Sequence, residues 1–180
     1  GAAWIYSRSG GVWVQQGAKL IGSGAVGAAG QGRSVSLSSD GNTAIIGGDN
    51  DNTNKGAVWI FTRSGSVWTQ QGSKLVGTGG IGLSYQGNSV SISADGNSII
   101  VGGYNDNSGL GASWIYSRSG GVWTQQGSKL VGTGAVGNPN QGFSVSMSAD
   151  GNTAIVGGNT DNFSGAVWVF SRSGGVWTQQ

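Results

Sequence analysis

Apolar residues in this chain come in short runs of period two, separated by clusters of Gly, Asn, Asp and Ser. From Gly87, the segment Asn88-Ser-Val-Ser-Ile-Ser93 sets Val90 and Ile92 between small polar residues, which predicts a half-buried strand, A. Asp95-Gly96 then predicts a hairpin turn, because the turn needs positive φ and Gly, Asp and Asn tolerate it. Strand B is expected over Ser98 to Val101, closed by Gly102 and Gly103, followed by a polar loop from Tyr104 to Leu110. Strand C, Gly111 to Ser117, is apolar on both faces, with Trp114 and Tyr116 pointing one way and Ile115 the other. A strand of that kind belongs between two layers. Arg118-Ser-Gly-Gly121 turns into strand D, Val122 to Gln126, and a Gly-rich link from Gly127 to Gln141 leads to the next strand A.

This unit repeats. The strand C segment recurs at Gly1 to Tyr6, Gly56 to Phe61, Gly111 to Tyr116 and Gly165 to Phe170, at spacings of 55, 55 and 54 residues. The chain therefore reads as one array: a C–D hairpin and link (1–31), repeats over 32–86 and 87–141, and a final A-B-C-D set over 142–180. No 3.6-residue periodicity calls for helix. Four-strand meanders repeated at this period predict an all-β fold of β-propeller blades, about three and a half of them. Closed propellers need about 4 to 8 blades. The expected partners are accordingly further repeats of the same chain or other copies of it, joined at open edges.

Composition refines this picture. Gly supplies 38 of 180 residues, but eight Trp recur in register with the glycines, so the glycine punctuates strands and does not make a flexible chain. Charged residues are 9% and the net charge is +2, with the basic residues spread around the array; nucleic acid is not expected as a partner. No apolar run of 18 residues calls for membrane insertion, and with no Cys there is no disulfide framework.

Candidate chemistry is sparse. His, Cys and Glu are absent and all seven acidic residues are Asp, mostly at periodic positions, so no enzyme is expected. Asp40, Asp95 and Asp150, each followed by Gly41, Gly96 or Gly151, are read as turn formers. A second polar loop, Asp49 to Asn54 and its copies, carries Asp51, Asp106 and Asp161 beside Asn52, Asn107 and Asn162. These could offer oxygens to a cation or hydrogen bonds to sugar hydroxyls, or could serve only as Asx turns. Two Trp rungs complete the set. Trp4, Trp59, Trp114 and Trp168 in strand C are expected in the core between blades. Trp13, Trp68, Trp123 and Trp177 in strand D, the outermost strand, either pack on a neighbouring blade or serve as exposed platforms for a glycan or protein ligand.

The motifs Gly87-x-Ser-Val-Ser-Ile-Ser, Ser-x-Asp95-Gly-Asn, Ile100-Val-Gly-Gly103 and Gly111-Ala-x-Trp-Ile-Tyr116 resemble the FG-GAP repeats of integrin-α-like propellers, especially their bacterial extracellular versions. The resemblance covers every repeat and implies adhesion or binding at a cell surface or outside the cell. The family's Phe-Gly is replaced by Gln31-Gly32, Gln86-Gly87 and Gln141-Gly142, and its Gly-Ala-Pro by Gly47-Gly48-Asp49 in the first repeat. Many members carry a calcium loop of several carboxylates. Around Asp40, Asp95 and Asp150 the matching positions are Ser36, Ser38 and Ala44; Ser91, Ser93 and Ile99; and Ser146, Ser148 and Ala154. One carboxylate per loop does not make such a site, and no cofactor is expected. Three functional readings follow: an adhesion or scaffolding module, a lectin-like carbohydrate binder, and a subunit of an extracellular filament.

Overall fold

The computed structural model describes all 180 residues, and the repeat read from the sequence appears in it as three four-stranded antiparallel sheets and one hairpin. The hairpin is β1 (Tyr6–Ser9) and β2 (Val12–Gln15). The first full blade is β3 (Ser34–Leu37), β4 (Thr43–Gly48), β5 (Ala57–Ser64) and β6 (Val67–Gln70). The second is β7 (Ser89–Ile92), β8 (Ser98–Gly103), β9 (Ala112–Ser119) and β10 (Val122–Gln125). The third is β11 (Ser144–Met147), β12 (Thr153–Gly158), β13 (Ala166–Ser173) and β14 (Val176–Gln179). Strand order within each blade follows the chain, as in a meander.

Of the Ser-rich strands, β3 lies against β7 and β7 against β11, which puts strand A at the inner rim. Their serines join the blades: Ser34 Oγ donates to the Gly87 carbonyl at 2.8 Å and Ser89 Oγ to the Gly142 carbonyl at 2.9 Å. At this rim a small hydroxyl both fits the crowding and satisfies a backbone acceptor that the next blade leaves open.

The core lies between blades. Val58 and Ile60 of the first blade pack with Val101, Trp114 and Tyr116 of the second, and Ile100 and Ile115 of the second with Val156, Trp168 and Phe170 of the third. On the other side, Trp59 and Phe61 pack with Ala3 and Ile5 of the hairpin. Alternation along strand C therefore sends the aromatic face back to the preceding blade and the aliphatic face on to the next. Trp59 and Trp114 have no solvent exposure.

Glycine makes room for each ring. A Cβ at Gly22 would lie 2.0 Å from Trp59 Cδ1, and one at Gly48 would lie 2.8 Å from its Cζ3. The indole is thus sandwiched between a link and its own strand B, and its Nε1 donates to the Ser23 carbonyl at 2.8 Å. Gln31 completes the clamp. Its Oε1 accepts the Gly22 amide at 2.6 Å and its Nε2 donates to the Gly22 carbonyl at 2.8 Å. Gln86 on Gly77 and Gln141 on Gly132 repeat the arrangement.

Two expectations are corrected here. Strand C of the hairpin was expected over Gly1 to Tyr6, yet only Tyr6–Ser9 is extended and paired as a strand, with Ala3 bridging to Leu20. Without a strand B beside it, the segment lacks half its ladder. For the same reason Trp4 is not core: it is 51% exposed, along with Tyr6.

Truncating Trp114 to Ala is expected to cost about 3–5 kcal/mol, read by denaturant unfolding, whereas Trp4→Ala should change stability by less than about 1 kcal/mol. Equal effects would show that the ring's sandwich between glycines is not what holds the blades.

Candidate functional site

The A–B turns come first, since they carry one Asp in each blade. Asp40 Oδ1 accepts the Ser38 hydroxyl at 2.5 Å and the Asn42 amide at 2.9 Å, while Oδ2 accepts Asn42 Nδ2 at 3.0 Å. Asp95 and Asp150 repeat the pattern with Ser93 and Asn97, and with Ser148 and Asn152. Donation to the charged form, from the serine hydroxyl first, holds all three carboxyls below the usual carboxylate range. The turn differs from the one anticipated: only the glycines take positive φ, at 66°, 70° and 68° for Gly41, Gly96 and Gly151. The Asp serves by its side chain instead.

The network continues outward. Asn42 Oδ1 accepts from Arg63 Nε at 2.9 Å, and the Arg63 guanidinium lies over the Trp68 ring, 5.7 Å from its centroid. Arg118 over Trp123 and Arg172 over Trp177 repeat this at 5.3 and 5.8 Å. Gln71, at the end of the first blade, accepts from both Arg118 and Trp123 of the second. Trp68, Trp123 and Trp177 are each half-buried against an interblade core, so one ring face is covered by Arg and packing takes much of the rest. Of the strand D tryptophans, Trp13 alone is widely exposed.

The second Asn/Asp loop runs between strands B and C. Asp51 is fully buried: Oδ1 accepts the Val26 amide at 2.7 Å and Oδ2 pairs with Lys74. Asp106 likewise accepts the Ile81 amide at 2.7 Å and the Ser84 hydroxyl at 2.9 Å, and pairs with Lys129. Asp161 accepts the Val136 amide at 2.7 Å. Of the two readings of these aspartates, the contacts of Asp51 and Asp106 match a loop anchor, since their oxygens are taken up inside the blade and tie loop to link. Asp49 lies 3.4 Å from Arg33; burial pushes its carboxyl up and the guanidinium pulls it back. No group of three carboxylates comes together in a way that could hold a metal ion.

The residue after each of these aspartates behaves differently. Asn52, Asn107 and Asn162 are exposed and left-handed, at φ 50°, 50° and 44°, and Thr53, Ser108 and Phe163 follow them into the same region. Polar clefts form where one loop meets the next blade. The first is lined by Val26, Asn50, Thr53, Asn54 and Tyr85, and the second by Ser108, Asn138, Asn140, Thr160, Asn162 and Phe163. Sequence reasoning picked out the loop asparagines but missed Asn138, Asn140 and Phe163. Their signal was departure from the repeat, where Ala28 or Leu83, Gly30 or Tyr85, and Thr53 or Ser108 stand at the same positions.

Two apolar faces also remain open. At one end Trp4 and Tyr6 are exposed beside a groove lined by Ile5, Val35, Leu37 and Ile46, where strands A and B of the hairpin's blade would lie. At the other, Ile155, Val167 and Val169 are exposed on the face that elsewhere receives the next blade's Trp.

No family model matches the chain, and no curated protein matches it. Among solved structures, a protein described as TolB from Agrobacterium tumefaciens superposes with a TM-score of 0.52 at 14% identity, over 98% of this chain and 57% of that one. The fold is a β-propeller. TolB from Acinetobacter baumannii (TM-score 0.44, 14% identity, 81% of this chain and 31% of that one) and Kuenenia stuttgartiensis hydrazine synthase (0.49, 14%, 88% and 36%) also match. The chain thus spans about a third to somewhat over half the length of these structures.

Lys74→Ala leaves the Asp51 carboxylate buried without its counter-ion and is expected to destabilise by about 3 kcal/mol. Lys19→Ala, at an exposed copy of that position with no carboxylate beside it, should change stability by less than about 0.5 kcal/mol. Chemical denaturation of both variants checks this; equal losses would mean that the ion pair holds nothing.

Acid should also be felt through the turns. A carboxyl whose folded pKa lies below its unfolded value adds stability in full above the unfolded value of 3.8, and that stability is lost as pH falls through the folded value. Asp49, shifted up, acts with the opposite sign, losing stability as pH rises through its range. Melting temperature should therefore drop between about pH 4 and pH 2, and the triple variant D40N/D95N/D150N should flatten that drop. An unchanged acid limb in the triple variant would overturn the assignment.

Proposed function

We propose that this chain forms part of a non-enzymatic propeller that works as an interaction and scaffolding module of the FG-GAP type, at a cell surface or outside the cell. The observation that carries this reading is the use made of the carboxylates: all seven are engaged within the fold, in turns, loop anchors and ion pairs. With His, Cys and Glu absent, the protein presents amides, hydroxyls and apolar surface to a partner instead of acids, bases or nucleophiles. The motif resemblance supports the adhesion class and the extracellular placement. The propeller fold supports a protein-interaction module, since its edges and loops offer repeated surface on a rigid frame.

The partners favoured by the open faces are blades of the same kind. Ile155, Val167 and Val169 form the aliphatic half of an interblade core, and Trp4 and Tyr6 form an aromatic half. Each lacks its counterpart. Further repeats or other copies of this sequence bring complementary surface to both.

Light scattering on the 180-residue chain should therefore show association at micromolar concentration, and Val167→Asp with Val169→Asp should reduce it by charging one open face. A sharp monomer of about 18 kDa at high concentration would overturn this reading.

A further inference from the structure

The cleft between the second and third blades departs from the repeat at several positions of its lining. In a near-identical array, what the fold needs recurs in every blade, and the Gln clamps, the buried strand-C Trp and the turn Asp do so. At this cleft Asn138 stands where Ala28 and Leu83 do, Asn140 stands where Gly30 and Tyr85 do, at a left-handed position (φ 56°) that asparagine suits, and Phe163 replaces a hydroxyl residue. The side-chain amides of Asn138, Asn140 and Asn162 make no hydrogen bond within the protein, although all three line the cleft.

Phe163 is the sharpest departure. Its side chain is fully exposed, at 102% of the reference, and its backbone is left-handed at φ 59°. The left-handed backbone recurs at Thr53 (φ 57°) and Ser108 (φ 58°) and belongs to the loop of every blade; the exposed aromatic ring is what does not recur. Here the ring packs into no core. It stands at the rim of a cleft of about 550 Å³, within the roughly 300–1,000 Å³ of small-molecule sites.

The two walls are held in place. Thr160 Oγ1 donates to the Asn138 carbonyl at 2.6 Å, and the Asn140 backbone N–H donates to the Gly109 carbonyl at 2.8 Å. A Cβ at Gly109 would lie 3.2 Å from Asn140 Oδ1 and 3.3 Å from Asn138 Cβ, so glycine there leaves the amides free space. No charged side chain lines the cleft.

We propose that this cleft binds a neutral sugar residue of a glycan, with Phe163 stacking on the ring's C–H face and the amides of Asn138, Asn140 and Asn162 meeting its hydroxyls. A primary amide offers a donor and an acceptor in one plane, which suits adjacent sugar hydroxyls, and an exposed aromatic ring supplies the apolar contact. The absence of charge in the lining selects neutral over acidic sugars. The site deepens the binding-module reading but does not depend on association through the open faces, so the two can fail separately.

The test is a glycan microarray carrying neutral hexose and N-acetylhexosamine oligosaccharides alongside sialylated and uronic-acid ones, probed with the 180-residue chain and followed by titration of the hits. Neutral glycans should bind, and both Phe163→Ala and N138A/N140A should weaken them by at least about ten-fold. Thr53→Ala, at the matching position of the first blade, should leave binding unchanged. Phe163→Asn, which suits the left-handed backbone, should lose binding while its melting temperature holds or rises, separating recognition from folding. The proposal is overturned if no neutral glycan binds, if acidic glycans alone bind, or if binding survives both the Phe163 and the Asn138/Asn140 changes. Loss of glycan binding with light-scattering association intact would remove this site and leave the scaffolding reading standing.

Discussion

The interface between blades rests on burying one indole per repeat, and much of the rest of the sequence serves that burial. A flat ring as large as Trp can sit between two sheets only if the backbone on both sides has no side chain in the way. Gly22 and Gly48 provide this for Trp59, with Gly77 and Gly103, and Gly132 and Gly158, as their copies. The glycine in the link would otherwise leave the link loose, and the buried glutamine of the Gln-Gly pair binds its amide and carbonyl together. The glutamine of the Gln-Gly pair thus has a physical role as a buried, two-point hydrogen-bonded clamp.

Around that core a second, polar system links the rims. Serine, aspartate and asparagine of each A–B turn hold the arginine of strand C, the arginine covers the tryptophan of strand D, and in the second blade a glutamine from the preceding blade meets both. The Asp–Lys pairs do the same between loop and link on another side of the blade. Periodic charges in this protein are therefore internal fastenings. Since each fastening joins neighbours only, stability is shared blade by blade, as in other repeat arrays. The hairpin β1–β2 is the least enclosed part, with Val12, Trp13 and Val14 all exposed.

This division of labour also shows where binding can reside. Most residues repeated in every blade are committed to the frame, so a partner is met chiefly by what the frame leaves over: open apolar faces at the ends, exposed loop asparagines, and loops whose sequence drifts from the repeat. The cleft beside Phe163 combines unbonded amides with an exposed aromatic ring, whereas the matching cleft beside Thr53 offers Ala28 and Gly30 at the corresponding positions.

Much of the architecture was legible in the sequence because it is written in local patterns: period-two alternation for the strands, Asp-Gly for the turns, and a 55-residue recurrence for the blades. Even the two-faced burial of strand C follows from apolar residues on both sides of the alternation. What needed the tertiary structure were relations across tens of residues, where no local rule applies. That Asp51 finds Lys74 from 23 residues away, that Gln31 reaches back to Gly22, and that Trp68 carries an arginine on its face depend on how link, loop and strand converge in space. Trp4 shows the limit most plainly. Its sequence neighbourhood matches that of Trp59 almost residue for residue, yet one is exposed and the other fully buried, because burial is a property of the blade that packs beside a residue and not of the residue itself.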